Sequence, residues 1–152
     1  AKAVVPDGEI VDRLGTARVA RQGSDVTIAA LALMVPRALE AASRLESAGI
    51  SAEVIDVRSL VPLDTRTLLD SVAKTGRFFT VEENPRLCGW GAELVSIVDE
   101  EAFWHLDGPS VRITTPHIPL PSAAAREDLA IPSVDRIFDT VVKSVDRARG
   151  MA

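Results

Sequence analysis

"DVTIAALALMVPRALEAASRLESAGISAEVIDV", residues 25–57, contains the pattern that decides the fold. Its first part, 25–31, is a continuous apolar run of the kind found in a strand that is covered on both faces. Residues 35–48 then repeat apolar side chains at helical spacing, with Pro36 in the first turn. A second apolar run follows at 52–57. The stretch therefore predicts a strand, a helix and a second strand parallel to the first.

The same alternation continues along the rest of the chain. Further strands are predicted at 77–83 and 110–114, and further helices after Asp64 as N-cap, after Gly91 and from Ser133. The segment "ARVARQG", 17–23, places charges on one face and predicts an edge strand. Alternating strands and helices with short connections select a mostly parallel sheet with helices on both faces.

Composition bounds the function. The 152 residues suit one domain, and their 47% hydrophobic content is enough to offset the entropy of folding. A net charge of −5 without a dense Lys/Arg block argues against nucleic acid as a partner. The longest apolar run, 26–35, is about half of what a membrane-spanning helix needs. A single cysteine, Cys88, leaves no internal disulfide, so we expect a cytosolic protein.

The chain divides into a leader and a domain. Residues 1–16 contain Pro6, Gly8 and Gly15 and no sustained period, which predicts an extended leader or linker. The domain is predicted to span 17–152. Between Pro116 and Pro132 a proline-rich crossing is expected to join the last strand to the last helix.

The turn within "TVEENPRLCGWGAEL", 80–94, is the first place to look for chemistry, because ligands of open α/β sheets bind past the carboxyl ends of strands. "GWGAEL" resembles part of a dinucleotide fingerprint, but it lacks the third glycine and follows two carboxylates. The plainer interpretation is that Gly89 and Gly91 supply turn geometry. Glu82 and Glu83 could serve as acid/base groups or metal ligands, although neighbours on a strand point to opposite faces.

Other candidate groups are few. Cys88 would need an activating base to act as a nucleophile. His105 lies beside an aromatic pair, where packing or capping is the commoner role, whereas His117 lies between prolines after a strand. Trp90, Phe103 and Trp104 are either core residues or marks of a subunit interface.

These residues, from about residue 14 onward, also resemble the C-terminal domain of the transketolase superfamily. The resemblance is greatest to the β subunit of the thiamine-diphosphate-dependent decarboxylating component of 2-oxoacid dehydrogenase complexes (pyruvate, branched-chain or acetoin type). It is carried by "QGSDVTI", "EVIDVRSLVPLD", "TVEENPRLCGWGAE", "EEAFWHLDGP" and "AIPSVDRI". The chain departs from that group at His117, where Asp is common, and in "RLCGWG", where "RTGGFG" is usual.

The resemblance implies a three-layer α/β/α fold with a five-stranded, mostly parallel sheet and one antiparallel edge strand. It implies a parent with an N-terminal pyrimidine-binding domain, not present in these residues, and with thiamine diphosphate and Mg bound by the parent. The domain alone is then expected to bind no cofactor and to be non-catalytic. Alternatives are a domain of deoxyxylulose-phosphate synthase or transketolase, or a free-standing anion- or nucleotide-binding α/β module.

The resemblance also implies an α2β2 parent, in which this domain contacts the α subunit and a second β subunit as a homodimer. The subunit-interface candidates are Glu82, Glu83, Gly89, Trp90, Gly91, Phe103, Trp104 and His117. A dihydrolipoyl acyltransferase is expected to dock through its subunit-binding domain onto negative charge at Asp135, Asp139 and Asp146.

Overall fold

A mixed five-stranded sheet forms the middle layer of the computed structural model, which describes residues 7–9, 11 and 13–150. The strands are β1 (Arg18–Arg21), β2 (Val26–Ala30), β3 (Ala52–Asp56), β4 (Phe78–Pro85) and β5 (Val111–Thr115). The α-helices are α1 (Met34–Ser47), α2 (Thr65–Thr75), α3 (Trp90–Ala102), α4 (Ala124–Ala130) and α5 (Val134–Arg149), with a 3-10 turn at Phe103–His105.

The strand order is β1-β3-β2-β4-β5. β1 runs antiparallel to β3, with Arg18 opposite Asp56, and the other neighbouring strands are parallel. The predicted fold class, a mostly parallel sheet with one antiparallel edge strand, is therefore confirmed.

Alternate side chains of the strands enter two separate cores, one on each face of the sheet. On one face α1 and α5 cover Val26, Ile28, Val54, Phe79 and Val81. On the other face α2 and α3 cover Ala29, Ile55 and Phe78. The continuous apolar character of β2 and β3 thus comes from burial on both sides, which is why their sequences show little alternation.

The helix ends confirm the predicted signals. Asp64 is the N-cap of α2, and its carboxylate accepts the N–H of Thr67 at 3.1 Å. α1 begins at Met34, one residue earlier than predicted, so that Pro36 still lies in the first turn. Gly49 follows the end of α1 with a left-handed φ of 76°, a conformation that glycine adopts without strain.

Two expectations are corrected. The proline-rich crossing contains a two-turn helix, α4, because "AAREDLA" is composed mainly of good helix formers between the flanking prolines. The helical spacing of α2 predicts Ala73 in its buried face, yet Ala73 is exposed and Ser71 and Thr75 are buried instead. These two hydroxyls bond to the hydroxyl of Thr27 on β2, at 2.7 Å each, so a polar contact takes the place of apolar packing.

The predicted leader, 1–16, lies partly outside the described residues. Where it is described, the backbone passes close to the turn after β3. A side-chain carbon added at Gly15 would lie 2.7 Å from Cγ of Pro62, and the Ala17 N–H donates to Asp64 Oδ2 at 3.0 Å. The amino-terminal part of the domain is therefore fixed beside the start of α2.

Candidate functional site

A buried carboxylate lies at the centre of the turn between β4 and α3. Glu82 has no exposed surface, whereas its neighbour Glu83 is exposed, because successive strand residues point to opposite faces. β4 continues to Pro85 and carries Glu82 on the face that α3 covers. The two carboxylates therefore do not converge on one atom, as predicted.

Four donors surround the Glu82 carboxylate. Oε1 accepts Thr80 Oγ1 at 3.2 Å and Arg112 Nε at 3.1 Å. Oε2 accepts Asn84 Nδ2 at 3.0 Å and the backbone N–H of Gly91 at 2.9 Å. These bonds use the acceptor positions that an ionised carboxylate normally offers. We conclude that Glu82 has no free lone pair for a substrate proton or a metal ion.

Charge balance at this position is supplied from the edge strand β5. The Arg112 guanidinium pairs with Glu82, and its NH2 group also donates to the Arg86 carbonyl at 2.8 Å. Arg112 is only 13% exposed in its side chain. A buried charge needs a partner and full hydrogen bonding to be tolerated, and here both are present. The group of Thr80, Glu82, Asn84, Gly91 and Arg112 is called the Glu82 cluster below.

The two glycines have a different role from the one predicted. Neither Gly89 nor Gly91 has a positive φ; the left-handed residue in the turn is Cys88, with φ 58°. A side-chain carbon at Gly91 would lie 2.2 Å from Glu82 Oε1, and one at Gly89 would lie 2.4 Å from Glu82 Oε2. Glycine is needed at both positions because the backbone approaches the carboxylate closely, so the interpretation as turn geometry is corrected.

The Glu82 cluster also caps a helix. Gly89, the N-cap residue of α3, has no side chain that could accept a first-turn N–H. Glu82 accepts the N–H of Gly91 from across the turn, which satisfies one of the unpaired donors and places a negative charge at the positive end of the helix. The N–H of Gly91 is therefore not available to the pyrophosphate that the nucleotide interpretation requires.

The two histidines lie at opposite ends of β5. His105 precedes the strand and His117 follows it, and both are exposed. They cannot act together, because the length of β5 separates them. Among the described residues, no group of three or more His, Cys, Asp or Glu side chains could hold a metal ion. In the same part of the chain, no helix is both long and apolar enough to span a bilayer.

Aromatic side chains form an exposed patch after the end of α3, at the amino ends of the parallel strands. Trp104 is 93% exposed, and the Phe103 ring meets it edge-on, with centroids 5.2 Å apart. Together with Val95 and Leu106 they line an open groove of about 650 Å³. Trp90, by contrast, is half-buried and packs against the core under α2 and α3. Val95, Phe103, Trp104 and Leu106 are called the aromatic patch below.

The predicted docking aspartates share one stripe of α5. Asp135, Asp139 and Asp146 are spaced four and seven residues apart, so they lie on the same side of the helix, and all three are exposed. Asp135 is paired with Arg44 of α1, whose guanidinium also lies over the Phe138 ring at 4.9 Å. The docking role of this stripe stays a prediction.

Fold and site together define a three-layer α/β domain. The Glu82 carboxylate closes the turn at the carboxyl end of β4, and the aromatic patch lies at the amino ends of the strands. The family described as "Transketolase, C-terminal domain" matches residues 15–137. The chain belongs to this family.

Several relatives are subunits of larger enzymes. The chain is 45% identical to "Pyruvate dehydrogenase E1 component subunit beta-2, mitochondrial" of Oryza sativa subsp. japonica, over 99% of this chain and 40% of that protein. It is 40% identical to "Acetoin:2,6-dichlorophenolindophenol oxidoreductase subunit beta" of Bacillus subtilis (strain 168), over 93% of this chain and 42% of that protein. The chain thus spans about two fifths of the curated relatives that it matches.

Solved structures agree with the fold. "Split gene transketolase, inactive beta4 tetramer" superposes with a TM-score of 0.78 at 30% identity, covering 90% of this chain and 44% of that one. A transketolase from Pichia stipitis superposes with a TM-score of 0.61 at 16% identity, which supports the fold alone.

Sequence reasoning pointed to the turn that contains the Glu82 cluster, but it did not identify Arg112 or the close backbone approach that requires the glycines. The signal for Arg112 was a basic residue inside an otherwise apolar strand, "SVRIT". Glu82, Gly89 and Gly91 lie together at the carboxyl end of β4, whereas Phe103 and Trp104 lie at the amino ends of the strands. The interface roles of Glu82 and the other candidate residues stay predictions. Glu82 itself has no exposed surface.

Proposed function

We propose that this chain is the C-terminal assembly domain of a 2-oxoacid dehydrogenase β subunit. The observation that carries the proposal is the 45% identity to a pyruvate dehydrogenase β subunit over almost the whole chain. The parent enzyme would decarboxylate a 2-oxoacid oxidatively and transfer the acyl group to a lipoyl domain. The domain itself would organise neighbouring subunits and supply no reacting group.

We propose that this domain alone does not hold thiamine diphosphate. A diphosphate bound through a metal ion needs several oxygen ligands and free N–H donors. The described residues contain no such ligand group, and the Glu82 carboxylate already occupies the amino end of α3. In the parent, the cofactor and its Mg would therefore be held by other parts of the assembly, and no chemical step is assigned to this chain.

A chimera tests the function. In the rice β-2 subunit, the 150-residue section that matches this chain is replaced by the whole chain, and the product is expressed with the rice α subunit. Turnover of pyruvate with thiamine diphosphate and Mg is expected, because 45% identity preserves the fold and most contacts. A correctly folded chimera that forms no α–β complex would contradict the proposal.

For the β–β contact we propose the aromatic patch, with a second copy of the domain as its occupant. The solved relative is described as a "beta4 tetramer", so β chains of that protein self-associate. Trp104 is almost fully exposed, and tryptophan is enriched at the centres of protein interfaces. Trp104→Ala should weaken self-association at least about thirtyfold, the factor that about 2 kcal/mol at a hot spot implies.

The matched control is Leu129→Ala, since Leu129 is 87% exposed on α4 and outside the aromatic patch. Sedimentation equilibrium over a concentration series measures both variants. An unchanged dissociation constant for Trp104→Ala, or a monomeric wild-type chain at every concentration, would refute the assignment of this patch.

The aspartate stripe of α5 is our proposed docking site for the subunit-binding domain of a dihydrolipoyl acyltransferase. A basic module approaching three exposed carboxylates would be steered and oriented by charge. Replacing Asp139 and Asp146 by Lys should slow association and reduce its salt dependence, whereas Asp70→Lys on α2 should not. If the association rate keeps its salt dependence after the reversal, the docking surface lies elsewhere.

A cytosolic location also stays a prediction. It rests on the single cysteine of the sequence, while the rice relatives are named as mitochondrial. Fractionation of the source cells with an antibody to the chain measures it.

A further inference from the structure

A second buried carboxylate lies on β3, outside the Glu82 cluster. The side chain of Glu53 is only 2% exposed, and its Oε2 atom accepts the Lys74 ammonium and the backbone N–H of Gly23, the latter at 3.4 Å. Unlike Glu82, which uses both carboxylate oxygens, Glu53 uses only one. Oε1 of Glu53 accepts no hydrogen bond from any residue that the structure describes.

The unpartnered oxygen of Glu53 opens onto a cleft. Each fully enclosed side-chain oxygen or nitrogen of the described residues has a hydrogen-bond partner, so Oε1 must retain contact with solvent. Glu53 lines a cleft of about 330 Å³ that lies between the end of β1 and α2. A nearly buried carboxylate oxygen without a donor is an unfavourable arrangement that a bound donor would relieve. The wall of this cleft, called the Glu53 cleft below, includes Val19, Gln22, Glu53, Thr67, Asp70 and Lys74.

Hydrogen-bond acceptors and negative charge predominate in the Glu53 cleft. The Asp70 carboxylate is largely exposed and lies 3.7 Å from Arg66, beyond hydrogen-bond distance. The Thr67 hydroxyl donates its proton to Asp64 at 2.7 Å, so it can only accept in the cleft. Two carboxylates (−2) and one ammonium (+1) leave the wall with a net charge of −1. The ligand that complements this wall is a monovalent cation with several N–H donors and no acceptor.

The arrangement of the acceptors favours a guanidinium group. Gln22 follows β1, Glu53 belongs to β3 and Asp70 belongs to α2, so the acceptors come from three directions. A guanidinium is planar, carries its donors in a fixed fork and is more weakly hydrated than an ammonium, which suits acceptors around a small cleft. Val19 provides an apolar wall for an aliphatic stem. We propose that the Glu53 cleft binds a small organic cation with a guanidinium head and an aliphatic stem.

Lys74 limits the affinity of the Glu53 cleft. Its ammonium contacts Oε2 of the same carboxylate and lies 3.5 Å from Gln22 Oε1, so it competes for acceptors and repels a second cation. Because the Lys74 side chain is 44% exposed, solvent and salt screen part of this repulsion. The wild-type chain therefore binds the ligand weakly. Loss of the lysine charge would leave the ligand as the counter-ion of Glu53 and would strengthen binding.

Heteronuclear NMR of the isotopically labelled chain measures this binding. The chain is titrated with butylguanidinium chloride at constant ionic strength. Saturable shifts are expected at the backbone amides of the cleft wall, with a dissociation constant in the millimolar range. Butylammonium offers fewer donors and is more strongly hydrated, so it should bind at least about threefold more weakly. Tetramethylammonium, which has no N–H donor, should give no saturable shift.

Substitutions in the cleft have opposite expected effects on the dissociation constant of butylguanidinium. Glu53→Gln keeps the size of the side chain and should raise the constant at least about tenfold, the factor expected for one hydrogen bond to a charged group. Asp70→Asn should raise it about two- to fivefold, because that carboxylate is exposed. Lys74→Gln should lower it at least about tenfold. The controls Asp139→Asn and Lys143→Gln make the same changes in net charge at exposed positions of α5 and should change it less than about twofold.

Shifts that never saturate, or equal shifts with tetramethylammonium, would overturn the inference, because net surface charge alone would then attract the cation. Equal affinities for butylguanidinium and butylammonium would refute the assignment of a guanidinium ligand. An unchanged dissociation constant for a folded Glu53→Gln chain would also refute the site. If Glu53→Gln does not fold, Lys74→Gln decides: binding no tighter than in the Lys143→Gln control refutes the site, and tighter binding supports it.

Discussion

The effect of Gly91→Ala on stability distinguishes a tightly packed Glu82 cluster from an ordinary helix start. Gly91 is the second residue of α3, and in an unconstrained helix alanine is more favourable than glycine by about 1 kcal/mol. Here the added carbon would lie 2.2 Å from Glu82 Oε1 and 2.5 Å from Thr80 Oγ1. Both distances are far below van der Waals contact, so the Glu82 carboxylate must move.

The carboxylate has little freedom to move, since four donors hold it and it has no exposed surface. Overpacking typically costs about 1–3 kcal/mol. Disturbing a buried, paired charge adds to this, because its complete loss costs about 3–5 kcal/mol. After subtraction of the helix-propensity gain, we expect a net loss of about 2–4 kcal/mol in the free energy of unfolding.

Denaturant unfolding of the isolated chain, followed by circular dichroism, measures this loss. Ser96→Ala is the control, because Ser96 lies on the exposed side of the same helix and its change should stay within about 0.5 kcal/mol. A Gly91→Ala protein as stable as the wild type, or more stable, would refute the reasoning about the Glu82 cluster.

Two further predictions concern other hydrogen-bonded polar groups. Burial raises the pKa of Asp64, but hydrogen bonds from the Thr67 side chain and from the Thr67 and Ala17 N–H groups, with the Arg66 charge, outweigh it and hold the pKa below its ordinary value of 3.8. The stabilisation by the charged carboxylate is therefore present above pH 3.8 and is lost as the pH falls through the lower folded pKa of Asp64. The difference in the free energy of unfolding between wild type and Asp64→Asn should narrow in this acid range. A difference that does not change with pH would contradict this prediction. Thr27→Val removes two buried hydroxyl contacts and should destabilise the chain by about 1–3 kcal/mol. Thr140→Val removes only a solvent-exposed hydrogen bond to the Arg136 carbonyl and should have little effect in the same unfolding assay.

The layer order could be predicted from the sequence because burial controls it. β2 and β3 are apolar at nearly every position, and the helices between strands repeat at helical spacing, so a parallel sheet covered on both faces is the arrangement that buries them. Asp64 was recognisable as an N-cap because a short acceptor side chain precedes the apolar repeat of α2.

The site could be predicted only in part, because its contacts join residues that are distant in sequence. Glu82 and Arg112 are thirty positions apart and meet through the pairing of β4 with β5, which no local pattern encodes. The requirement for Gly91 comes from a carboxylate nine residues earlier, not from its own backbone angle. α4 was missed for a local reason, since prolines at both ends concealed a short run of helix formers.

The central claim is that this chain organises neighbouring subunits and does not hold the coenzyme. Isothermal titration calorimetry with thiamine diphosphate and magnesium tests it most directly. The isolated chain is predicted to give only heats of dilution up to millimolar cofactor. The polar groups of the Glu82 cluster are already hydrogen-bonded to one another, and the described residues offer no metal-ligand group. A saturable isotherm with submicromolar affinity would contradict the account.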